Sequence, residues 1–157
     1  MASRELWILD RAPLWAGALT IAVGLAVLGG WALGLPWLTR IMPQFASMKA
    51  ITAACFILTG VALLGAGHPD RETWARWLTI VGAVVLAAVA LLTLYAYASG
   101  SSLFLDDVMW RESSPSPRSP YPGRMSPNSA GAFLLLATSL LLRRRGTPRA
   151  LRWSDAS

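Results

Sequence analysis

Two uninterrupted stretches without a formal charge, Leu14 to Leu35 and Trp77 to Ala98, decide most of what this chain can become. Each is 22 residues long, and at about 1.5 Å per helical residue either one covers the ~30 Å of hydrocarbon in a bilayer. Tyr95 and Tyr97 close the second run and Trp74 and Trp77 open it, where amphipathic rings suit a membrane interface. A water-soluble fold of 157 residues would leave such segments partly uncovered. The chain is 55% hydrophobic and 14% charged, against about 25% charged in an average soluble domain, and its mean hydropathy is +0.49. The expected solvent is lipid.

Two shorter runs complete the pattern. Ala50 to Gly67 carries Thr52, Cys55 and Thr59, whose side chains can turn back onto the helix's own carbonyls. Asn128 to Leu142 is brief, but Ser126 followed by Pro127 is a favourable helix start and Arg143, Arg144 and Arg145 can snorkel at its far end. The expectation is an all-α integral membrane fold of four transmembrane helices in a single domain over 1–157. The first span lacks a clean cleavage site and has acidic residues, Glu5 and Asp10, before it, so it reads as retained rather than as a signal peptide.

Four spans put Arg4, Arg11, Arg71, Arg76, Arg143, Arg144, Arg145, Arg149 and Arg152 on one side, and Arg40, Lys49, Arg111, Arg118 and Arg124 on the other. The positive-inside tendency then places both termini in the cytoplasm, as expected of a multi-pass protein of the bacterial inner membrane. The net charge of +6 is accounted for by that asymmetry and by a basic cytoplasmic tail, 143–157, suited to anionic lipid headgroups; nucleic acid is not an expected partner.

The chain also repeats itself. Met48, Ala53, Phe56 and Leu58 recur as Met125, Ala130, Phe133 and Leu135, and Leu63-Leu64 recurs as Leu140-Leu141, all 77 positions on. Gly34 and Gly100 correspond at an offset of 66, so the second copy holds a longer external connector, the Pro-rich stretch around Pro115 to Pro122. Both copies read span, connector, span. They are therefore parallel repeats, one over about 13–67 and the other over about 75–145, with short interfacial helices expected in the external connectors.

The stretch from Gly123 through Met125-Ser-Pro-Asn-Ser-Ala to Leu136, with its weaker copy from Ser47 to Leu58, resembles the Met-x-Pro-Asn-Thr-Ala helix starts in N-terminal membrane regions of bacterial sensor histidine kinases and diguanylate cyclases. It departs from them at Ile51, where the family pattern has Asn, and at Ser129, where it has Thr. Such regions feed a cytoplasmic transmitter, and only about 15 residues follow the last span here. The resemblance thus implies a sensory membrane region without a transmitter domain.

Little in the chain suggests catalysis. None of the four runs holds Asp, Glu, Lys, Arg or His, the groups that mark intramembrane enzyme and carrier sites. His68, the only histidine, sits in a polar turn, and Asp106, Asp107 and Glu112 read as the wet face of an interfacial helix over Leu103 to Trp110 rather than as a cation site. Neither a metal nor a cofactor is expected, and the chain does not read as an enzyme.

What remains are contact surfaces. Ala18, Ala22, Ala26, Gly30 and Gly34 form a small-xxx-small stripe along the first span, suited to close packing either inside the protein's own bundle or against another integral membrane protein. The external loop offers Trp110 and Tyr121 as anchors, stiffened by Pro115, Pro117, Pro120 and Pro122. Trp15, Trp31, Trp37, Trp74, Trp77 and Trp110 fall near span ends as interface anchors. The favoured function is a non-catalytic accessory subunit of a larger membrane complex, of respiratory or photosynthetic type for example. The alternative is a stand-alone sensory input module signalling to a separate kinase or cyclase.

Overall fold

A computed structural model describes residues 2–39, 47–67, 73–102 and 123–145. Among these all regular structure is helical: α1 (Ala2–Ala32), α2 (Pro36–Thr39), α3 (Ala50–Ala66), α4 (Thr73–Ser99) and α5 (Pro127–Arg145). Two helices are long and apolar enough to cross a membrane, α1 through Arg11–Ala32 and α4 throughout. The apolar parts of α3 and α5, Ala50–Ala66 and Pro127–Leu142, are shorter.

Local chemistry sets the helix ends. At the start of α5 the Ser126 hydroxyl accepts the Ser129 N–H at 3.2 Å and lies 3.0 Å from the Ser129 hydroxyl, with Pro127 in the first helical position, where its missing N–H costs nothing. At the far end of α1, the Leu35 N–H reaches the Gly30 carbonyl at 2.8 Å and the Gly34 N–H reaches the Trp31 carbonyl. This paired closure needs a left-handed residue, and Gly34 supplies it at φ +64°. Gly100, directly after α4, has φ +67°. The two glycines share both their position after a long helix and their conformation.

α3 is the middle of the bundle. α1, α4 and α5 all pack against it, α4 also packs along α5, and no residue of α3 is exposed. One core cluster joins Cys55 of α3, Leu86 and Ala90 of α4, Ala130, Phe133 and Ala137 of α5, and Met125 just before α5. Phe56 and Phe133 meet edge to face, with ring centroids 5.6 Å apart, a favourable aromatic geometry. A second cluster of Ala62, Ala83 and Leu140 continues it toward the other end.

Close approach of backbones completes the packing. A Cβ on Gly24 would stand 2.7 Å from the Ala53 carbonyl, and one on Gly60 would stand 2.6 Å from the Gly17 carbonyl. α1 therefore lies on α3 through glycine. α4 approaches α3 through Ala75, Thr79 and Gly82, and the Thr79 hydroxyl is shared between its own helix, at the Ala75 carbonyl (3.0 Å), and the Ala62 carbonyl of α3 (3.2 Å).

Candidate interaction surfaces

The alanine stripe of α1 does not serve the chain's own bundle. Gly17, Gly24 and Val27 form the buried face, while Ala18, Ala22 and Ala26 are exposed on the other side of the helix. The two glycines of the stripe have other duties. Gly30 is buried beneath α2, where a Cβ would come within 2.6 Å of the Leu38 Cβ, and Gly34 makes the turn, with open space around it. Of the five stripe residues, three form an outward face, Gly30 packs under α2 from within α1, and Gly34 makes the turn. The glycines that seat α1 on α3 went unnoticed in the sequence, although the spacing of seven between Gly17 and Gly24 puts both on one helical face.

Set side by side at an offset of 66, α1 and α4 share their buried positions: Gly17 with Ala83, Gly24 with Ala90, Val27 with Thr93, and Gly30 with Ala96. Their outward faces differ. Where α1 has Ala18, Ala22 and Ala26, α4 has Val84, Ala88 and Leu92, all exposed. The alanine face is thus flat and its counterpart is ridged.

The end of the bundle that holds the connectors contains a second correspondence. The Trp31 indole N–H donates to the Met48 carbonyl at 2.9 Å, and the Tyr97 hydroxyl donates to the Met125 carbonyl at 3.2 Å. Trp31 and Tyr97 are 66 positions apart and Met48 and Met125 are 77 apart, the offsets at which the sequence aligns with itself. Trp31 was expected as an interface anchor; instead its polar edge is turned inward to the backbone. Trp15, Trp37, Trp74 and Trp77 are exposed.

Two cations are buried beside these contacts. Lys49 stands directly before α3, and Arg124 stands in the strand of chain leading into α5. The Arg124 guanidinium lies 5.2 Å from the centroid of the Tyr97 ring, within cation–π range, and donates to the Ser101 carbonyl at 2.7 Å. That bond ties the chain just after α4 to the chain just before α5. The Met48 N–H does the equivalent in the first half, bonding the Thr39 carbonyl at 2.8 Å. Sequence reading had counted Lys49 and Arg124 only as topology signals, since nothing in a single arginine codon announces a ring beneath it.

The external loop residues Trp110, Pro115, Pro117, Pro120, Tyr121 and Pro122, the interfacial helix expected over Leu103 to Trp110, and His68 all lie outside the described residues, as does the tail beyond Arg145. Among the described residues no three His, Cys, Asp or Glu side chains gather where a metal could bind. No family model matches the chain, and neither a curated protein nor a solved structure matches it.

Proposed function

We propose that this chain is a multi-pass protein of the bacterial cytoplasmic membrane, built as two parallel helix-connector-helix repeats, and that it acts as a non-catalytic accessory subunit by binding another integral membrane protein. The carrying observation is the exposed alanine face of α1, Ala18, Ala22 and Ala26, which the protein's own helices leave uncovered. Small residues at this spacing let a second helix approach closely, the main source of helix association where hydrophobic burial gives no advantage. Two of the three corresponding positions of α4, Val84 and Leu92, are bulkier, which suits lipid.

The repeat reading is supported by the paired bonds to the Met48 and Met125 carbonyls and by the matching turns at Gly34 and Gly100. In a parallel arrangement the N-terminus, the segment between α3 and α4 and the basic stretch after α5 share the cytoplasmic side, as their nine Lys and Arg residues favour. Anionic headgroups would meet that basic stretch.

The test is extraction from the native membrane in mild detergent, followed by identification of what co-migrates. An accessory subunit is recovered at fixed stoichiometry with a larger membrane protein, and Ala22→Leu lowers that recovery. Recovery of the protein alone, with Ala22→Leu silent there but a kinase or cyclase output altered in the cell, would replace this reading with the sensory one.

A further inference from the structure

Resting on the membrane reading above, we infer that the protein's outer surface is matched to a thin bilayer, with about 27 Å of hydrocarbon rather than the ~30 Å average. Two helices that scarcely touch carry the same ruler. On α4 the innermost exposed aromatics are Trp77, 61% exposed, and Tyr95, 65% exposed, with the exposed Trp74 three residues further out, beyond Arg76; Trp77 and Tyr95 are eighteen residues apart, which is about 27 Å at ~1.5 Å per residue. Between them the outward residues Val81, Val84, Val85 and Leu91 are apolar and exposed. On α1, Trp15 is 71% exposed and the helix ends seventeen residues later at Ala32, with Trp37, 69% exposed, just past the turn; that is about 26 Å.

The rest of the bundle agrees. The 17 residues of α3 give about 26 Å, and the apolar part of α5, Pro127–Leu142, gives about 24 Å at the same rise. Tilt only shortens the distance projected on the membrane normal. Trp31 lies inside the belt but needs no headgroup, because its indole N–H is held by the Met48 carbonyl. At the other end, the exposed Arg11 and Arg76 stand at or beyond the level of the tryptophans, where a guanidinium reaches phosphate. Tryptophan and tyrosine at both ends of an apolar band are what a lipid interface selects.

The experiment uses the full chain with Cys55→Ala, reconstituted in phosphatidylcholine vesicles and spin-labelled at single cysteines introduced in place of Trp77, Val81, Val84, Ala88, Leu92 or Tyr95. Collision with oxygen should peak between the Val84 and Ala88 labels and fall at both ends, with the Trp77 and Tyr95 labels preferring a water-soluble nickel chelate. The untagged protein should also melt highest in vesicles with chains of fourteen to sixteen carbons and lower by several degrees in chains of twenty-two. Labels at positions 77 and 95 that remain in hydrocarbon, or a melting temperature that rises with chain length, overturn the thin match. Labels that all meet the chelate equally would instead remove the membrane reading itself.

Discussion

α1 and α4 occupy corresponding places in the two halves of the chain, yet they are used differently. Four inward positions coincide at the offset of 66, but there α1 has Gly17, Gly24, Val27 and Gly30 where α4 has Ala83, Ala90, Thr93 and Ala96, and Gly82 of α4 is buried where Ala16 of α1 is exposed. α4 is held on two sides, by α3 and α5, while α1 is held by α3 and, near its C-terminal end, by α2. Both approaches to α3 are close: a Cβ on Gly65 would stand 2.6 Å from the Ala75 carbonyl of α4, as one on Gly60 would from the Gly17 carbonyl of α1. The outward faces differ too, with Ala18, Ala22 and Ala26 on α1 where α4 carries Val84, Ala88 and Leu92, and in the proposed function it is the former that takes a partner.

The largest effect should come from making α1 resemble α4 at its seat. Gly24→Ala introduces the side chain that Ala90 carries in α4, but here it meets the Ala53 carbonyl and Ile57 at 2.7 Å. Overpacking of this kind costs about 2–3 kcal/mol, to be read from unfolding in mixed micelles. A cost below about 0.5 kcal/mol would mean that glycine does not set the α1–α3 distance and that the contrast between the halves is superficial.

Next comes the latch of the second half. Arg124→Met keeps the apolar stem but removes the bond to Ser101 and the charge above Tyr97; loss of a charged hydrogen bond is worth about 1.5–3 kcal/mol, and Arg124→Lys should recover only part of it because the planar fork is lost. Thermal unfolding followed by circular dichroism decides the order of the three proteins. An Arg124→Met variant as stable as the parent would show that the ring and carbonyl merely accommodate the arginine.

Gly34→Ala and Gly100→Ala test whether the two halves turn alike. Both force a side chain into left-handed backbone, at about 1 kcal/mol each, and the two costs should agree within experimental error. Tyr97→Phe, which deletes only the hydroxyl bonded to Met125, should cost about 1 kcal/mol. A Gly100 variant without penalty beside a costly Gly34 variant would break the equivalence.

The smallest effect on the isolated protein is also the most informative about partners. Ala22→Leu fills no occupied space, so its stability should stay within about 0.5 kcal/mol of the parent, while recovery of the co-purifying membrane protein should fall several-fold. If Ala88→Leu on α4 reduces recovery equally, the flat face of α1 has no special role.

The apolar parts of the helices were legible because charge is excluded from those runs: the two 22-residue stretches lie within α1 (apart from Leu33 to Leu35) and α4, and the Ser126-Pro127 start stands where the hydroxyl and ring suggested, whereas the extension of α1 back to Ala2 through Arg4, Glu5, Asp10 and Arg11 was not legible. The orientation of α1 was not legible. Both of its faces are lined with small residues, and which one meets the bundle is decided by Gly60 on another helix, which no spacing within α1 encodes. The same holds for Trp31 and Trp37. One is turned to a carbonyl and the other outward by the turn at Gly34, although both are tryptophans near the end of one apolar run. Arg124 shows the limit from the other side, since its burial depends on Tyr97, far away in sequence, arriving beneath it.

The absence of any exposed residue on α3 bears on how such a chain would be made. Emerging second during synthesis, α3 finds only α1 ready, and the walls that cover Phe56, Ala62 and Gly65 are supplied by α4 and α5, which follow later. If α3 crosses the membrane as proposed, a chain stopped after Gly67 lacks those walls and should be handed to membrane proteolysis, whereas one extended through Arg145 should be spared.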